Sequence, residues 1–98
     1  MRILIRANGE TQTLDKPLTI REIERLIGCD TLDSINLPFE EGVHVMCLDD
    51  IGAHKELPVN VAATSFYWGK CGGPVDWHIR GDVVIVPDSD FEPPVRPL

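Results

Sequence analysis

A chain of 98 residues, 43% hydrophobic and 26% charged, is one domain with enough apolar material for a core of its own. Its net charge of −7 makes it a poor candidate for direct nucleic-acid binding, which needs Lys and Arg on phosphates and is not expected here. The imbalance is local: residues 31–60 carry six acids against one Lys, while residues 1–30 balance five against five. Such a chain suits a soluble binder of basic protein surfaces.

Taken in order, residues 1–7 alternate, with Ile3, Ile5 and Ala7 on one side, and predict a strand. Asn8-Gly9 predicts a type I′ hairpin turn, because both residues tolerate positive φ, and Glu10 to Leu14 returns as a Thr-rich second strand. Thr19-Ile20-Arg21-Glu22 has the form of a capping box. Ile20, Ile23 and Ile27 then recur at helical spacing, and Gly28 stands where a left-handed residue ends a helix, which predicts a helix over 19–28 packed on one sheet face. Thr31 to Leu37 reads as a third strand. Residues 43–48, apolar on both faces, read as an interior fourth strand. Asn60 is a good N-cap for a second short helix through Ser65, and the Gly-rich residues 69–74 are expected outside regular structure.

Val83 to Val86 is wholly apolar and β-branched between Gly81-Asp82 and Pro87-Asp88, which predicts a strand buried on both faces. Pro93, Pro94 and Pro97 mark 93–98 as a polyproline-like tail beyond a domain of 1–92. The fold expected is α+β: a small mixed sheet of about five strands with two short helices.

Four segments carry a family resemblance: Asp49-Asp50-Ile51-Gly52, then Leu57-Pro58-Val59-Asn60, then Ala63-Thr64, then Gly81-Asp82-Val83-Val84-Ile85-Val86. Over about residues 43–88 the pattern resembles domain of unknown function family 3846, a small family of phages and mobile elements. The Leu-Pro-x-Asn-x-x-Ala-Thr spacing is its distinctive part. No activity comes with that family. The resemblance implies a phage or mobile-element gene, a setting in which small acidic proteins often antagonise host defence.

Candidate chemistry is sparse. Cys29, Cys47 and Cys71 stand far apart with no C-x-x-C, and no secretory segment follows Met1, so free thiols in a reduced cytoplasm are expected. No apolar run approaches the ~20 residues of a membrane helix. Cys71 and His78 form the closest approach to a metal pair or a thiol–base pair, but neither a metal, a cofactor nor a catalytic set is expected. Gly69-Lys70-Cys71-Gly72-Gly73 offers amides and a Lys but lacks Walker A spacing.

The aromatics are the stronger signal: Phe66, Tyr67, Trp68 and Trp77 crowd into twelve positions. They read either as caps on the sheet or as a binding surface. The binding reading places Tyr67, Trp68, Lys70, Trp77 and His78 on a loop from 67 to 78, facing a host protein or a small nucleotide. The function expected is a non-catalytic binding protein. An accessory phage domain, a homodimer and a small enzyme stay open as alternatives.

Overall fold

The computed structural model describes residues 2–39, 42–50, 55–71 and 78–90. Five strands form one sheet: β1 (Ile3–Ile5), β2 (Thr11–Thr13), β3 (Leu32–Phe39), β4 (Gly42–Asp49) and β5 (Val83–Pro87). Two helices, α1 (Ile20–Ile27) and α2 (Val61–Cys71), complete a small α+β fold, and a 3-10 turn, Asp88–Asp90, follows β5. The sheet order is β2-β1-β5-β4-β3, and every pairing is antiparallel where a mixed sheet was expected. The hairpin loops between β1 and β2 and between β3 and β4 enforce antiparallel neighbours. The segment from β4 to β5 carries α2 across one face and returns in the opposite sense. No helix among the described residues is long and apolar enough to cross a membrane.

The sheet separates two cores. On one face Leu4, Val45, Cys47, Val84 and Val86 pack beneath Ile23 of α1, with Leu14, Leu18, Leu26, Ile27 and Leu32 at the margin. On the other, Ile5, Leu37, Met46, Val83 and Ile85 pack with Ala63 of α2 and Ile79, flanked by Phe66 and Tyr67. Val83 to Val86 is buried on both faces, as its composition predicts. Its central place between β1 and β4 gives the reason. β4 is likewise interior.

The capping box of α1 forms: the Glu22 N–H donates to Thr19 Oγ1 at 3.1 Å, and the Thr19 N–H donates to Glu22 Oε1 at 2.9 Å. Gly28 closes the helix at φ 73°. Ile20 departs from expectation. It is 44% exposed, because the first helical residue projects past the sheet that Ile23 and Ile27 cover.

The first hairpin also differs. Gly9 alone takes a positive φ, the Gly9 N–H donates to Arg6 O, and the Arg6 N–H donates to Glu10 O. This is a three-residue loop in which a turn is followed by one left-handed glycine, not a type I′ turn. Asn8 serves it through its side chain, whose Oδ1 accepts the Glu10 N–H.

Asp82 ties this loop to β5. It pairs with Arg6 Nη1 at 2.7 Å and accepts the Ala7 N–H at 2.9 Å. Arg2 meets Asp90 through two parallel bonds of 2.7 and 2.8 Å. The tail 93–98 lies outside the described residues, as do Ile51 and Gly52.

Candidate functional site

The Leu-Pro-x-Asn-x-x-Ala-Thr stretch builds a clamp that seats α2 on the segment entering β5. Asn60 is fully buried. Its Oδ1 accepts the Ala63 N–H at 3.0 Å, the N-cap bond its position predicts. Its Nδ2 donates twice more, to Ile5 O at 3.0 Å and to Gly81 O at 2.8 Å. One amide side chain thus joins α2, β1 and the approach to β5.

Four residues on, Thr64 Oγ1 accepts the Ile79 N–H at 3.0 Å, and the Asn60 N–H donates to Ile79 O at 2.8 Å. The Gly81 N–H donates to Pro58 O, and Val59 bridges Arg80. Gly81 stands at φ 80°, a conformation that favours glycine, and a Cβ there would also press on the end of the Leu57 side chain, 2.9 Å from Cδ1.

The clamp sets the direction of the aromatics. Ala63, Phe66 and Tyr67 turn to the sheet. Trp68, one turn beyond Thr64, meets His78, the neighbour of Ile79, with ring centroids 5.9 Å apart. Three consecutive aromatics are therefore shared between two sides of the helix. Trp68 is half-buried, and its indole N–H is shielded from solvent with no acceptor among the described residues.

Residues 69–71, expected outside regular structure, are the last turn of α2, so Tyr67, Trp68 and Lys70 lie on a helix, not on a loop. Tertiary contact outweighs the cost of about 1 kcal/mol for a helical glycine at Gly69. The Lys70 Nζ sits 4.2 Å from the Phe39 ring centroid and 5.9 Å from that of Phe66. Phe39 in turn lies 4.3 Å from the ring of His44, a strand residue buried in β4.

Of the five sequence-derived site residues, the structure brings Trp68 and His78 together and sends Lys70 to the opposite side of the helix. Tyr67 packs against the sheet, and Trp77 lies outside the described residues. The side chain of Cys71 also lies outside them. Among the described residues no group of three or more His, Cys, Asp or Glu side chains is placed to hold a metal.

Val61, which sequence reasoning passed over, is 68% exposed at the start of α2. Val61, Ser65 and Trp68 fall at i, i+4 and i+7 and form one outward stripe. The signal was available in composition: from Val61 to Cys71 the helix carries one charged residue, Lys70.

Burial pushes the Cys47 thiol up to about 12, and the Cys29 thiol is raised as well, first by burial and then by Asp49. Neither is an activated nucleophile. Comparison with known proteins finds no matching family model, no matching curated protein and no matching solved structure.

Proposed function

We propose that this chain is a non-catalytic binding protein that docks a host protein on the outer stripe of α2. One observation carries the reading: a surface helix of eleven residues with a single charge leaves Val61 exposed and Trp68 half-exposed on the side away from the sheet. A helix apolar on more than one side calls for a second covering surface, and an indole beside an aliphatic residue is a typical anchor for one.

The net charge of −7 favours a partner with a basic rim. The phage or mobile-element setting implied by the motif resemblance adds antagonism of a host defence factor, acting in the host cytoplasm. A small nucleotide is the less favoured ligand, because Lys70 and His78 point to different sides of α2 and do not converge on one phosphate.

The test is retention of a host protein by the immobilised chain. The partner should dissociate as salt rises, since rim contacts between charges are screened. Val61→Asp should abolish retention while leaving the fold intact, because Val61 is exposed and an acid is favoured at a helix start. Equal retention by the wild type and by folded Val61→Asp would remove α2 as the docking face. A rise in melting temperature with nucleotide would favour the other ligand.

A further inference from the structure

The sheet ends at β3, an eight-residue strand whose outer side pairs with nothing among the described residues. A long edge of this kind is a template for an added strand, from a partner or from a second copy. The ladder shows which groups face outward. The Asp50 N–H donates to Thr31 O, in register with the β3–β4 pairs, so odd-numbered residues of β3 exchange bonds with β4 and even-numbered ones point away. The outward set is Leu32, Ser34, Asn36 and Pro38. Pro38 has no N–H to give. The Ser34 N–H is already taken, donating to its neighbour's carboxylate, Asp33 Oδ1, at 2.9 Å. Every second outward donor is therefore missing.

We propose that Asp33 and Pro38 close the β3 edge of the sheet to strand addition, whether the added strand comes from a partner or from a second copy of this chain. Beyond removing the Ser34 donor, the Asp33 carboxylate opposes the carbonyls of any strand that approaches there. Both residues are exposed, so neither is needed for the core. This inference does not depend on the docking face assigned to α2.

The experiment compares the wild type with Asp33→Ala/Pro38→Val by sedimentation across a wide concentration range, with amide exchange read residue by residue. The double variant should gain mass with concentration and acquire protection at residues 32, 34, 36 and 38, while the wild type shows no protection at Leu32 or Asn36. A folded double variant that keeps the wild-type mass at every concentration overturns the proposal. The wild type supplies a readout independent of the variant's folding: its Ser34 amide should exchange roughly tenfold more slowly than those of Leu32 and Asn36, as expected for a bond to a charged acceptor. Equal rates at the three positions overturn it as well.

Discussion

At the scale of single residues, Asn60 makes the sharpest prediction. As a cap alone, it would lose about 1 kcal/mol on truncation and tolerate Asp, which caps equally well. Its other two bonds reverse the second expectation. Asn60→Ala removes a donor from Ile5 O and Gly81 O and the acceptor from the Ala63 N–H, and should cost about 2–3 kcal/mol. Asn60→Asp keeps the cap but turns a buried carboxylate oxygen on two carbonyls, and should be at least as damaging at neutral pH. A protonated carboxyl could donate to one of them, so the Asp variant should regain stability relative to wild type as pH falls. Chemical denaturation of both variants at neutral and acidic pH checks this.

The N-cap was legible because it is written in four consecutive residues. The other two acceptors lie 55 and 21 positions away, where no local pattern reaches. Cys47 gives a second residue-scale prediction. Burial pushes its thiol up to about 12, so its contribution is complete below the ordinary thiol value of ~8.5 and declines as pH rises toward 12. Native protein should leave Cys47 unmodified by alkylating reagents until it unfolds.

At the scale of elements, the two helices were unequally readable. α1 announces itself by a cap, a periodic face and a terminal glycine, and the structure keeps the cap, the glycine and all of that face but Ile20. The Glu22 carboxyl is held below the usual carboxylate range, first by the Thr19 amide and then by the Thr19 hydroxyl. The stability it adds is therefore whole above the ordinary Glu value and fades as pH drops through the lowered one. Glu22→Gln should flatten that part of the stability profile, and Thr19→Ala should cost about 1 kcal/mol at neutral pH. The two acid titrations, followed by far-UV dichroism, separate these effects.

α2 runs past the point where its sequence stops looking helical. Gly69 signals an end, but Lys70 reaches back over Phe39, a residue 31 positions earlier that only the folded sheet brings near. Lys70→Ala should fray the last turn and cost about 0.5–1 kcal/mol. Helical chemical shifts lost at residues 69–71 alone would be the signature. Outright unfolding would show that the helix end carries more of the structure than that.

At the scale of the molecule, strand existence was legible and strand order was not. Val83 to Val86 reads as buried on both faces, and it is; that it lies between β1 and β4 follows from long-range pairing that composition does not encode. The candidate site was legible to the same degree. Aromatic crowding marked the segment that forms α2, but the division of Trp68 from Lys70 depends on helical rotation through residues expected in a loop. Asp90→Asn should weaken the paired bonds to Arg2 and loosen the N-terminal strand, measurable as faster amide exchange in β1 with little change in α1.

The central place of β5 has a consequence for synthesis. Among the described strands, the one that joins the β1–β2 hairpin to the β3–β4 hairpin is the last in chain order. Until it leaves the ribosome, two two-stranded ribbons exist without the element that lets either bury both sides, and isolated hairpins are marginal in water. The nascent chain should stay protease-sensitive through Ile79 and become resistant in a single step once Pro87 has emerged. Acquisition of structure is thereby postponed until β5 has been made, with both ribbons exposed to chaperones in the interval.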